Sequence, residues 1–182
     1  MQRIIGISGK LGSGKDTLAD FIIKQASFEK KSYAYKLKTI GAFLTGTEEE
    51  LWFTQEGKNV FLPDWNLTIG EFQQKLGTEA IRTGLHPQAW IIALFADLTP
   101  TSQWVITDMR FRNEALAVKE KGGVLIRING DPAKTRENSK RDLNHPSETD
   151  LDHFDGWDGV YSNSGSLENL ETYAKLVLAK WM

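Results

Sequence analysis

The stretch that decides the fold runs from Arg3 to Thr17, "RIIGISGKLGSGKDT". Arg3 to Ser8 is a short apolar run closed by glycine, the pattern of a buried strand. Leu18, Phe21, Ile22 and Gln25 then recur at helical spacing. Between strand and helix lies Gly9-x4-Gly14-Lys15, in the context that a phosphate-binding loop requires. Glycines let the backbone wrap tightly enough for several N–H groups to face phosphate oxygens, a wall expected from Gly9, Leu11, Gly12, Ser13 and Gly14. The helix start adds partial positive charge, and Lys15 reaches the outer phosphates. The plainer alternative is a turn that needs glycine for sterics alone; spacing and context favour the phosphate cradle.

Asp16 departs from that motif. It stands where a Ser or Thr hydroxyl would ligate Mg²⁺ directly. A carboxylate there holds the metal through water, or simply favours the helix N-terminus. Thr17 lies roughly 100° further round the helix, so it suits an inner phosphate rather than the same point in space.

Outward from the loop, strands alternate with helices. "SYAYKL" (Ser32 to Leu37) reads as a second strand, and Gly46 to Asn66 as an excursion with a short helix or hairpin. Thr68 and Glu71 form a capping box that opens a helix to Leu85. Ile69, Phe72, Leu76 and Ala80 make its apolar face; Gln74, Thr78 and Arg82 line the opposite one. A further helix is expected from Pro87 to Leu98. "QWVITD" (Gln103 to Asp108) is a strand ending in a carboxylate, "NEALAVKEKGG" a helix with a glycine stop, and "VLIRI" (Val124 to Ile128) another strand. "GVYSN" precedes a last helix from Leu167 to Lys180. This alternation predicts an α/β fold, a parallel sheet covered on both faces.

Asp108 closes its strand at the C-terminal end, where ligands bind in open parallel sheets. It suits a water-mediated hold on Mg²⁺ or orientation of an acceptor. Arg110 offers a guanidinium fork to a phosphate; an Asp–Arg pair bracing a turn is the alternative. The polar stretch from Asp131 to Asp152 carries Lys134, Arg136, Lys140 and Arg141. Of these, Arg136 and Arg141 are the preferred lid cations over a transferring phosphoryl group, and a solvated charge run is the bland reading. His145, Ser147 and Glu148 are expected to contact substrate or brace the closed lid, the alternative being local turn bonding.

The net charge of −2 supplies no global basic field, so neither nucleic acid nor an anionic membrane is an expected partner. The absence of cysteine excludes disulfides, thiolate metal sites and a cysteine nucleophile. No apolar run reaches the roughly 20 residues of a membrane helix, and "MQRIIGISGK" has too short a run for a signal peptide. A soluble, intracellular protein is expected. Asp150 to Gly159 lacks EF-hand spacing, and His86, His145 and His153 lack metal-ligand spacing, so no structural metal is expected.

"GKLGSGKDT", "LTIGEFQQKLGTEAIRTGLHPQAW", "ITDMRFRNEALAVKEKGGVLIRI" and "HPSETDLDHFD…VYSNSGSLENL" together resemble the bacteriophage and prophage deoxynucleoside monophosphate kinase family. The resemblance runs in order over most of the chain, leaving Gly41 to Asn66 uninformative. It implies a three-layer P-loop fold of the nucleoside monophosphate kinase type as one domain, 1–182, with an acceptor-binding helical region at 41–98 and a lid at 131–152. It implies γ-phosphoryl transfer from ATP, with Mg²⁺, to a deoxynucleoside monophosphate. Gln74, Thr78 and Arg82 would then bind the acceptor, with Trp90 stacking on its base; His145 and Glu148 would join them. It places the protein in the cytoplasm, that of the host if phage-encoded, and leaves room for a homodimer. Kinases of other phosphorylated acceptors (phosphomevalonate or dephospho-coenzyme A) and a non-catalytic ATP sensor remain as alternatives. Related sequences tend to carry an arginine where this chain has Gly70.

Overall fold

The computed structural model describes residues 1–135 and 146–181. In chain order, β1 (Arg3–Gly9), α1 (Lys15–Gln25) and β2 (Glu29–Lys31) come first. Then follow α2 (Tyr35–Thr45), β3 (Phe61–Leu62), β4 (Leu67–Thr68), α3 (Ile69–Gln74) and α4 (Ala89–Phe95). The chain continues through β5 (Gln103–Ile106), α5 (Arg112–Glu120) and β6 (Val124–Asn129). It ends with α6 (Pro146–Thr149), β7 (Gly159–Ser162) and α7 (Leu167–Trp181). Two compact units result: Met1–Ser32 with Thr99–Met182, and Tyr33–Leu98.

The first unit is a five-stranded sheet in the order β2-β5-β1-β6-β7, parallel throughout. Strand alternation sends Ile5 and Ile7 to one face, where Ile126, Ile128, Leu18, Ile22, Leu170 and Val177 join them in a fully buried cluster under α1 and α7. Ile4, Leu125 and Val118 are buried as well, with α5 packed on β1 and β6. Helices therefore cover both faces, as the alternating sequence predicts.

One strand lies elsewhere than expected. The edge strand is Glu29–Lys31, not Ser32 to Leu37. Its last residue, Lys31, pairs with Ile106, where β5 ends. Beyond that point no ladder partner remains, and the chain turns into α2.

In the second unit Trp52, Leu62, Ile69, Phe72 and Ala42 form a separate core. Trp52 and Trp65 each present an edge to Phe72, at 5.5 and 4.8 Å between centroids. Gly46 to Asn66 contains short 3₁₀ turns and the first strand of the β3–β4 hairpin. The capping box forms as expected: Thr68 N–H donates to Glu71 Oε2 at 2.7 Å and Glu71 N–H to Thr68 Oγ1 at 3.2 Å.

The helix that follows is α-helical only to Gln74. Lys75–Thr83 is π-helical, and Gly84 N–H and His86 N–H each reach five residues back, to Glu79 and Ile81 carbonyls. At Gly70 a Cβ would lie 3.1 Å from the Lys58 carbonyl oxygen, so an arginine there would require that carbonyl to give by a few tenths of an ångström. Among the described residues no helix is long and apolar enough to cross a membrane.

Candidate functional site

The glycine loop sits at the C-terminal end of β1. Ser13 N–H donates to Lys10 O at 3.1 Å, and Leu18 N–H to Gly14 O at 2.9 Å begins α1. Gly14 has φ +90°, a left-handed conformation that disfavours any Cβ. The Ser13 hydroxyl is buried and has no partner among the described residues.

Beside the loop opens a cleft of about 310 Å³, lined among others by Ser8, Lys15, Asp108, Arg110, Arg127 and Glu148. Its lining holds four cations (Lys10, Lys15, Arg110, Arg127) against two carboxylates (Asp108, Glu148). Four cations are thus gathered in one place in a chain of net charge −2, the local grouping on which binding of a polyanion would depend.

Each cation is positioned by the chain around it. Lys15 begins α1, its side chain 18% exposed. Arg110 donates to the Glu148 carboxylate and to Ser147 O. The turn bearing Arg110 is fixed by Glu114, a buried carboxylate that accepts the Arg110 and Phe111 N–H groups at 2.8 and 3.1 Å. Arg127 points from β6 beside β1, donating to Ser8 Oγ at 3.1 Å and pairing with Asp152 at 3.1 Å. Asp152 also takes Lys10, at 2.6 Å. Ser32 donates to Asp108 Oδ2 at 2.6 Å.

Asp16 is held by cations. Its Oδ1 accepts from Thr107 Oγ1 at 2.9 Å and Lys30 Nζ at 3.2 Å, and its Oδ2 lies 3.8 Å from Lys15 Nζ. Burial works against its ionisation, yet the charges of Lys15 and Lys30 and the Thr107 hydroxyl outweigh it, holding the pKa below 3.8. Among the described residues no group of three or more His, Cys, Asp or Glu is gathered as a metal cage. Mg²⁺ needs none, because one or two carboxylates with substrate phosphates suffice. Asp108 and the ionised Asp16 fit that mode, with Lys30 disfavouring direct ligation by Asp16.

Of the residues singled out in the sequence, Lys15, Asp108, Arg110 and Glu148 line the cleft together, and Gly9, Leu11, Gly12, Ser13, Gly14, Asp16 and Thr17 form the loop and first turn beside Lys15. Gln74, Thr78, Arg82 and Trp90 belong to the second unit. Gln74 is exposed, Thr78 and Arg82 are half-buried, and Arg82 reaches the Pro87 carbonyl at 3.5 Å. Trp90 is buried, its indole N–H donated to Gly77 O at 2.9 Å. Arg136, Arg141 and His145 lie outside the described residues. Sequence reasoning passed over Lys10, Lys30, Thr107, Glu114, Arg127, Asp152 and Asn163. Arg127 alone left a local signal, a charge inside the apolar run "VLIRI".

A parallel sheet with a glycine loop at the end of its central strand and a cleft gathering cations beside it defines a protein of the P-loop class. No family model matches the chain. It is 33% identical over 190 residues to a protein of Acanthamoeba polyphaga mimivirus provisionally named a deoxynucleotide monophosphate kinase, covering 96% of this chain and 94% of that one. The chain belongs to the deoxynucleotide monophosphate kinase family, and is a kinase of P-loop type. Among solved structures it is similar to TT1252 from Thermus thermophilus, with TM-score 0.53, 19% identity and coverage of 100% of this chain and 98% of that chain. Similarity to shikimate kinase from Acinetobacter baumannii has TM-score 0.55 and 16% identity, over 98% of this chain and 94% of that one. These likenesses carry the fold, that of the nucleoside monophosphate kinase type.

Proposed function

We propose that the protein transfers the γ-phosphoryl group of ATP to a deoxynucleoside 5′-monophosphate, giving the diphosphate and ADP. The observation that carries this reading is the convergence of Lys10, Lys15, Arg110 and Arg127 on one cleft beside the glycine loop. The name of the mimivirus relative supports the acceptor class. An acceptor phosphate oxygen attacks the γ-phosphorus as the bond to the β-phosphate oxygen breaks, and ADP leaves. Because the acceptor is already an anionic phosphate, no general base is needed; positioning and charge neutralisation carry the rate.

Gly9, Leu11, Gly12, Ser13 and Gly14 cradle the phosphates through their backbone, with Thr17 on an inner phosphate and Lys15 on the outer ones. Arg110 takes the acceptor phosphate. Asp108 and Asp16 would hold Mg²⁺ through water, and the ion would supply charge neutralisation at the phosphates. Gln74, Thr78 and Arg82 read the acceptor, over a helix that Trp90 braces from the core. The stretch 131–152 serves as a lid, with Arg136 and Arg141 as its cations for the transferring phosphoryl group and His145 and Glu148 contacting the acceptor or bracing the closed lid. The protein works in the cytoplasm.

The test is ADP release from ATP and Mg²⁺ with a panel of deoxynucleoside monophosphates. Diphosphate product is the expected result. No turnover on any nucleotide acceptor would overturn the reading; ATP binding without consumption on any acceptor at all would leave a nucleotide-sensing module.

A further inference from the structure

Asn163 follows β7 and does not line the cleft, yet it is fastened to the glycine loop from outside. Its Nδ2 donates to the Ser13 carbonyl at 2.9 Å, across 150 positions of sequence. Its Oδ1 accepts the Gly165 N–H at 3.0 Å, and its own N–H donates to Asn129 O at 2.8 Å. These partners fix the amide's orientation: the oxygen must face the Gly165 donor, so the NH₂ must face the Ser13 acceptor. A Cβ on Gly14 would lie 2.6 Å from Asn163 Nδ2. The glycine therefore allows this close approach as well as the left-handed turn.

The Ser13 carbonyl and the Gly14 N–H belong to one planar trans peptide and point in opposite directions. A bond that draws the carbonyl to Asn163 therefore turns the Gly14 N–H the other way. From this we infer that Asn163 is a positioning residue: it sets the Ser13–Gly14 peptide so that the Gly14 N–H is presented to a nucleoside triphosphate. The inference rests on the glycine loop binding phosphate, as proposed above. It adds that the loop's geometry is imposed from β7 rather than contained in the glycines alone.

Two variants test it. Asn163→Asp keeps the shape and the bond to Gly165 but turns a carboxylate oxygen toward the Ser13 carbonyl. Asn163→Ala only removes the donor. With inorganic tripolyphosphate as the calorimetric probe, affinity should fall about tenfold to a hundredfold in the Asp variant and several-fold in the Ala variant. In turnover, the KM for ATP should rise while the KM for the acceptor stays at the wild-type value; melting temperatures without ligand check folding. Wild-type tripolyphosphate affinity in both variants overturns the inference and leaves the kinase reading intact. Equal loss toward ATP and acceptor overturns it too, since that is what a merely structural residue would produce. A wild-type protein that binds neither tripolyphosphate nor ATP removes the phosphate loop itself, and both readings fall.

Discussion

In the first unit the charged side chains around the cleft are met by groups from other elements: Arg110 by Glu148 on α6, Arg127 by Ser8 on β1 and by Asp152 after α6, Asp108 by Ser32 after β2. In the second unit Gln74, Thr78 and Arg82 descend one stretch that leaves the α-helical pattern for a π-helix. A parallel sheet delivers several side chains to one place from distant parts of the chain, so electrostatic work can be preorganised there. A single helix delivers only its own face, and a π-helical turn redirects that face where a binding surface needs it. The difference suits the proposed division of labour, with charge stabilisation in the first unit and acceptor recognition in the second.

The largest expected effect tests the first half of this contrast. Lys15→Ala should lower turnover about a thousandfold, the scale of losing a preorganised group at the developing charge. Melting temperature, measured alongside, separates this loss of turnover from a loss of folding. A variant keeping most of its activity would remove the cleft as the reacting centre.

The second unit should respond most strongly in stability. Trp52 is fully buried and its ring fills the space against Gly41. Trp52→Ala should cost about 3–5 kcal/mol, as for other buried aromatic truncations, read as a shift in urea midpoint. A loss below about 1 kcal/mol would mean that this core tolerates collapse around the missing ring.

The glycine loop and the central strands were legible because their signals are local: fixed glycine spacing, and apolar runs such as "RIIGIS" and "VLIRI". The edge strand Glu29–Lys31 was not, since it pairs on one side only and buries no apolar row. The π-helical stretch was read as plain α-helix because the capping box and apolar face set its start, while a one-residue slip in hydrogen bonding leaves no mark on residue type. Arg127, Asp152 and Asn163 owe their places to partners 119, 25 and 150 positions away. Nothing short of the sheet order shows those partners. Lys15, Asp108 and Arg110 were found because each falls at a strand end or helix start recognisable by itself.

A pair of arginines sharpens the division between the two regions. Arg110→Ala should reduce kcat/KM about a hundredfold, by loss of a charge-assisted contact to the acceptor phosphate. Arg82→Ala should raise the acceptor KM about tenfold with the KM for ATP unchanged. An Arg82→Ala variant that lowers kcat and leaves the acceptor KM at the wild-type value would break the proposed assignment.

The smallest effect concerns Asp16, the residue that made the loop unusual. Its folded pKa is depressed below 3.8, burial being outweighed by Lys15, Lys30 and the Thr107 hydroxyl. A depressed carboxylate contributes stability that is fully present above its unfolded pKa and is lost as pH falls through the folded one. Wild type should therefore melt slightly above Asp16→Asn at neutral pH, and the gap should close as pH is taken below 3.8. The gap stays small because the side chain is 58% exposed and water screens its ion pairs. A difference that persists unchanged in acid would mean that attraction to Lys15 and Lys30 is not what Asp16 contributes. With Lys30 beside it, Asp16 is better suited to a water-mediated role than to direct ligation. The variant should accordingly shift the Mg²⁺ concentration for half-maximal activity only a few-fold, as expected for an ion that keeps most of its water and phosphate ligands.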